Sequence, residues 1–438
     1  MISNKHRKVF LYSLIASLGG LLFGFDIAIF SGTIPFITPL FNLNPSELGW
    51  IASSLYVGCM IGAILFGKIT ELLGRKKSLL LVSIIFIISS ILMGLANTSN
   101  QLVFWRIVAG FSVGGASILS PLYIAEISPL QIRGKMVSIN QLAIVIGILL
   151  AYMTNYFLAH LESNWRLMFM SGCLPAGLFI IFGWLLPESP KWLIYKGELE
   201  NGLQSLIKIL GPEDAILEQQ DIISRKKELE NNSKVTWASI FSNQNYFILI
   251  IIAIVIAVFQ QISGANAVLF YAPIIFEKVG MNVESQLFIQ ILIGSVNLIF
   301  TLVAIRLVDQ VGRKKLMLIG AAVMSILLFL IGFSFEGALI PQGLLSLLVL
   351  LFIGTYAATL APVTWVIISE IFPFQIREKG MAIASAMLWI ACFGITYIFP
   401  VMLEELSTFQ TFLTFSILCA IFFVFLFVVV KETKHNKL

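Results

Sequence analysis

Two ionisable side chains stand in this sequence where water should be scarce. Asp26 lies deep in the first long apolar run, within Gly24-Phe25-Asp26-Ile27, and Arg106 lies near the start of the fourth, within Phe104-Trp105-Arg106-Ile107. Burying a charge in hydrocarbon costs several kcal/mol unless it is paired or faces a water-filled cavity. Asp26 is about 17 residues into its helix, roughly 25 Å along the axis. Arg106 is only a few residues into a helix running the other way, so both reach the same third of the membrane. An acid and a base at one depth can pair. If water reaches that pair alternately from each side, the carboxyl can load and release a proton. The other reading is a static ion pair that fixes two helices, and spacing leaves both open.

A second group of charges repeats. Gly74-Arg75-Lys76, Glu126-Ile127-Ser128-Pro129 with Arg133, and Pro187-Glu188-Ser189-Pro190 recur in order as Gly312-Arg313-Lys314, Glu370-Ile371-Phe372-Pro373 with Arg377, and Glu432-Thr433-Lys434. Glu126, Arg133 and Glu188 each return 244 residues later, and Gly74 returns 238 later. A parallel repeat of that size is the mark of a two-halved membrane bundle.

The elements that must hold these groups follow from composition. Of 438 residues, 58% are hydrophobic and 12% charged, and the mean hydropathy is +0.96. Twelve apolar runs fall at about 9–30, 48–67, 78–96, 102–124, 136–157, 167–186, 247–270, 286–305, 316–334, 342–368, 381–400 and 409–430, most of them near the ~20 residues that cross a bilayer as a helix. Backbone groups in lipid must bond internally, and runs this long and continuous exclude a barrel of short strands. The expected fold is all-α and polytopic, with a six-helix half at 1–186, a cytosolic helical linker at 187–246 and a second six-helix half at 247–438. Lys5, Arg7, Arg75, Arg133, Arg313, Arg377 and Lys434 fall on one side with most other basic residues, which places both termini in the cytosol. That asymmetry accounts for the net charge of +5 without nucleic acid.

Other chemistry is thin. Cys59, Cys173, Cys392 and Cys419 lie in apolar runs without paired spacing and read as small packing residues. His6, His160 and His435 make no metal or triad constellation, so neither a metal nor an enzyme is expected. Gly62 to Lys68 spells the start of a phosphate-binding loop, but Ile69 stands where Ser or Thr should hold magnesium, and a membrane helix replaces the required strand.

From end to end the chain resembles the sugar porters of the major facilitator superfamily. The likeness is carried by Gly20-Leu21-Leu22-Phe23-Gly24-Phe25-Asp26, Trp105-Arg106-Ile107-Val108-Ala109-Gly110, Pro121-Leu122-Tyr123-Ile124-Ala125-Glu126, Pro187-Glu188-Ser189-Pro190-Lys191-Trp192-Leu193 and Gln260-Gln261-Ile262-Ser263-Gly264-Ala265-Asn266-Ala267. It is especially near bacterial proton-coupled xylose and glucose carriers and mammalian glucose facilitators. The resemblance implies a major facilitator fold and a carrier, not an enzyme. Gln141, Gln260, Gln261, Asn266 and Asn297 match sugar contacts, and side-chain amides suit a neutral polyol because they both donate and accept. Trp365 and Trp389 match aromatics that pack on the sugar ring, with Phe23 and Tyr271 completing the wall. Asp26 stands where symporters carry Asp and facilitators tend to carry Asn, and Arg106 matches its partner.

The resemblance also casts the repeated charges as a cytosolic gate, with Arg75, Arg133, Arg313 and Arg377 pairing with Glu126, Glu188, Glu370 and Glu432 in the outward-open carrier. Departures are Glu71-Leu72 in the first gate loop, Ile148, Ala357, Lys431, and Leu388 where relatives often carry Gln or Asn. The expected activity is alternating-access symport of a proton with a monosaccharide, a hexose such as glucose first and xylose second. A facilitative uniporter and a non-transporting sugar sensor are the alternatives. No cofactor beyond the coupling proton is expected. The expected setting is a cell membrane, a bacterial inner one, with the lipid bilayer as partner and a monomer as the working unit.

Overall fold

The computed structural model describes residues 6–231, 240, 242–336, 342–373, 375–430 and 432. Among them, twelve helices are long and apolar enough to cross a membrane: Arg7–Leu40, Pro45–Leu73, Arg75–Gly94, Ser99–Ile127, Arg133–Leu158, Asn164–Gly183, Gln244–Glu277, Val283–Val308, Arg313–Phe333, Leu344–Ile371, Lys379–Glu405 and Thr408–Val428. They are spans one to twelve below. The first runs ten residues beyond the apolar run that foreshadowed it. Its added turns contain Ser31 and Thr33, yet the helix continues because Thr33 Oγ1 donates back to the Phe30 carbonyl at 2.7 Å, hiding its polarity. The 187–246 segment, expected to hold short amphipathic helices, contains Pro190–Lys196, Leu199–Leu210 and Pro212–Asn231, which share a small core of Ile194, Leu206, Ala215 and Ile222.

Contacts group the chain into two compact units. Unit 1 holds residues 1–27, 57–151 and 166–234; unit 2 holds 28–56, 152–165 and 235–438. The division runs through spans one, two, five and six, whose ends at 28–56 and 152–165 group with the spans of the second repeat.

Within unit 1, spans two and four meet backbone to backbone. A Cβ on Gly58 would stand 2.0 Å from the Ile107 carbonyl oxygen, and one on Gly114 2.2 Å from that of Cys59. With no hydrophobic drive between helices in lipid, such close approach is how they gain packing energy. Gly58→Val should cost about 3 kcal/mol or more by overpacking. Gly67→Val, on the same span with nothing within 4 Å of a Cβ, should be near neutral. Thermal unfolding of the two purified variants in detergent measures the contrast, and equal midpoints would refute it.

Within unit 2, span seven is broken. Gln244–Ile262 ends at Ser263, Gly264 sits at φ +86°, and Ala265–Glu277 follows with Tyr271 non-helical at φ −113°, ψ 19°. Pro273 has no N–H, so the Leu269 carbonyl loses its helical donor. Span ten breaks similarly at Thr359, φ −125° and ψ −83°.

Candidate functional site

Asp26 and Arg106 come together in unit 1. They are 1% and 0% exposed, with Arg106 Nη1 4.0 Å from Asp26 Oδ2. Among the described residues neither oxygen of Asp26 has a hydrogen-bond partner. The pair is therefore held by charge alone, without directional bonds, and adding a proton to Asp26 removes what binds the carboxyl to the guanidinium.

In unit 2 the break of span seven gathers amides. Gln260 and Gln261 are buried, and Asn266 opens the helix beyond Gly264. Asn266 Nδ2 donates to Gln261 Oε1, Gln261 Nε2 donates to Gln260 Oε1 at 2.8 Å, and Gln260 Nε2 reaches the Ala361 carbonyl of span ten at 3.3 Å. The amides thus satisfy one another in a chain that ends on backbone. A neutral molecule with several hydroxyls can replace those bonds one for one, whereas an ion would face no counter-charge. Trp389, nearly buried, lies 5.9 Å from the Tyr56 ring. Asn297 on span eight is buried and Trp365 on span ten is half-buried. Tyr271 is fully buried: its hydroxyl donates to the Thr396 carbonyl at 2.6 Å and its ring stacks on Phe399. Phe23 and Gln141 are half-buried and belong to unit 1.

The second irregularity, at Tyr271 and Pro273, leaves carbonyls for other donors. Tyr152 Oη donates to the Leu269 carbonyl at 2.8 Å and Ser31 Oγ to that of Phe270 at 2.5 Å, while Gln290 Nε2 donates to Ser31 Oγ at 2.6 Å. Sequence reading passed over all three. Gln290 is an amide in an apolar span, as is Asn297 two helical turns away, but only Asn297 was marked by the resemblance. Tyr152, an aromatic in an apolar run, gave none. Cys392 was also missed as more than packing: its Sγ donates to Gln261 Oε1 at 2.9 Å.

The repeated charges form two matching constellations, one in each unit. In unit 1 Arg75 pairs with Glu126 at 2.8 Å through both Nε and Nη2, and Glu188 Oε1 accepts the backbone N–H groups of Arg75 and Lys76 at 2.8 and 3.1 Å. In unit 2 Arg313 lies 3.3 Å from Glu370, and Glu432 accepts from the N–H groups of Arg313 and Lys314 at 2.9 and 3.2 Å. Each distant carboxylate thus caps the first turn of a span, where orphan N–H groups and the helix dipole favour an anion. Gly74 and Gly312 precede those turns at φ +90° and +99°, where a Cβ would stand 2.4 Å from Glu188 Oε2 and 2.8 Å from Glu432 Oε2. Glycine is the residue that meets both demands.

Arg133 and Arg377 behave differently. Arg133 donates to the Ser128 carbonyl at 3.3 Å, and Arg377 Nη2 to the Phe372 carbonyl at 3.3 Å. Arg133 also faces the linker helix Pro212–Asn231. There burial, then Asp221, push the Glu218 carboxyl above its usual range, against the pull of Arg133 and Arg225. Lys431, Thr433 and Lys434 lie outside the described residues. Among those residues no group of three metal-ligating side chains occurs.

A family model described as sugar (and other) transporter matches residues 12–438. The D-xylose-proton symporter of Escherichia coli strain K12 is 38% identical over 428 residues, covering 90% of this chain and 86% of that one. The arabinose-proton symporter of Bacillus subtilis is 34% identical over 440 residues, covering 98% and 93%. Among solved structures, the inward-open xylose transporter XylE from E. coli superposes with a TM-score of 0.86 at 35% identity, covering 98% of each chain. XylE bound to 6-bromo-6-deoxy-D-glucose gives 0.81, covering 97% and 96%. Twelve apolar helices, a duplicated set of carboxylate-capped span starts and an amide cluster at a broken helix are thus found in a chain that belongs to the sugar transporter family.

Proposed function

We propose that this carrier takes up a neutral monosaccharide together with a proton, and that an aldopentose such as D-xylose is a better first candidate than the hexose put first on sequence alone. The relatives named for D-xylose and arabinose, each matched over nine-tenths of this chain or more, support that order. The observation that carries the coupling is the buried Asp26 carboxyl, which meets Arg106 at 4.0 Å and has no hydrogen bond among the described residues. Protonating Asp26 releases Arg106 and permits the loaded carrier to turn over. Gln260, Gln261 and Asn266 exchange their mutual bonds for sugar hydroxyls, with Gln141 and Asn297 as further polar contacts. Trp365, Trp389, Phe23 and Tyr271 supply apolar walls. The halves at 1–186 and 247–438 rock about the 187–246 linker, with both termini cytosolic and a monomer as the working unit. The charges around Arg75, Glu126, Arg133 and Glu188, and around Arg313, Glu370, Arg377 and Glu432, bias that motion.

The test is uptake of labelled D-xylose, L-arabinose and D-glucose into proteoliposomes, with and without an inward proton gradient. Gradient-driven accumulation of one sugar is the expected result. Equilibrative uptake indifferent to the gradient would make the protein a facilitator, and no movement of any sugar would overturn the substrate class.

A further inference from the structure

Gln261 Oε1 is the crowded atom of the amide cluster. A carbonyl oxygen has two lone pairs, and both are in use: one takes the Asn266 amide and the other the Cys392 thiol at 2.9 Å. Cys392 is itself held. Asn266 Nδ2 lies 3.7 Å from its sulfur, and it is 3% exposed. One helical turn before it stands Leu388, which offers no polar group. A sugar hydroxyl can therefore reach Gln261 Oε1 only by displacing a donor already there. The thiol is the weaker of the two, because S–H is a poor donor beside an amide N–H.

We propose that Cys392 sets sugar affinity as a displaceable stand-in: its thiol occupies the Gln261 oxygen while the site is empty and yields it to one hydroxyl of the bound sugar. This rests on the sugar-binding reading above. The stand-in spares Gln261 the penalty of a bare buried oxygen, which is far from negligible. It also competes with substrate, so strengthening it must weaken binding and deleting it must not. A packing role makes the opposite demand, since serine nearly preserves the shape that alanine loses.

The experiment compares wild type, Cys392→Ser and Cys392→Ala by equilibrium binding of D-xylose or D-glucose, whichever the wild type binds, and of singly deoxygenated analogues of that sugar. Cys392→Ser, with its stronger O–H donor, should bind the parent sugar about fivefold more weakly than wild type. Cys392→Ala should bind it as tightly or more tightly. The Ser penalty should vanish for the one analogue that lacks the hydroxyl meeting Gln261. Serine equal to wild type with alanine impaired, or a Ser penalty shared by every analogue, would overturn the proposal while leaving the transport reading intact. Should alanine fail to fold, the serine variant with the deoxy series decides alone. A wild type that binds no sugar would instead defeat the underlying substrate reading.

Discussion

Asp26→Asn should abolish sugar accumulation and leave sugar exchange running. The side chains are nearly isosteric, so span one keeps its packing, but the amide cannot carry a proton. In the wild type the driving force is bounded. One charge moved across 100 mV yields about 2.3 kcal/mol, or roughly fifty-fold accumulation at one proton per sugar. In the variant the ratio should fall to about one, because nothing then links the sugar to the potential. Exchange between labelled and unlabelled sugar needs only the loaded carrier to reorient. It should persist and lose its dependence on pH, since the neutral amide mimics the protonated acid beside Arg106. The geometry makes this a clean substitution. Asp26 makes no hydrogen bond among the described residues, and its contact with Arg106 is 4.0 Å long, so the exchange forfeits no directional bond. Proteoliposome uptake under an imposed gradient, paired with counterflow on the same preparation, measures both halves. Accumulation that survives in Asp26→Asn would show that coupling does not run through this carboxyl.

Gln261→Ala should weaken sugar binding about thirtyfold, roughly 2 kcal/mol. This side chain is the middle of the chain running from Asn266 and Cys392 through Gln260 to the Ala361 carbonyl. Truncation removes both an acceptor and a donor from the substrate, and it leaves Gln260 Oε1 without its amide partner. Cavities built to meet hydroxyls lose most when the matching group is missing, because the remaining polar atoms stay buried and unmet. Isothermal titration or intrinsic tryptophan fluorescence in detergent reads the change, Trp389 lying in the same unit. An affinity within threefold of wild type would remove Gln261 from the binding site.

Both predictions draw on groups visible in the bare chain, for a physical reason. A membrane helix is written as a long apolar run, so an ionisable interruption stands out, and Asp26 and Arg106 are such interruptions, whereas Gln260, Gln261 and Asn266 were marked by the resemblance to sugar porters. The duplicated Gly-Arg-Lys and Glu motifs were equally plain, because the two halves solve one problem twice. Each span that starts after Gly74 or Gly312 needs an anion for its free N–H groups. What the motifs did not disclose was that Glu188 and Glu432 supply the caps, while Arg133 and Arg377 turn to the carbonyls of Ser128 and Phe372. A charge in a sequence declares its sign and its side of the membrane, but its partner depends on which backbone groups packing leaves unpaired.

Cys392, Tyr152 and Ser31 show the other side of that limit. Small or aromatic residues in apolar runs look like packing, and most are. These three became polar partners because span seven breaks at Gly264 and again near Tyr271, exposing carbonyls and crowding amides that a straight helix would have kept to itself. Hydrophobicity and charge, read along the chain, were enough for the twelve spans, the repeat and the pairing of Asp26 with Arg106, since those follow from the cost of polar groups in lipid. Which atoms pair was left to the tertiary structure, because a hydrogen bond is decided within a few tenths of an ångström and that precision exists only after helices from distant parts of the chain have packed.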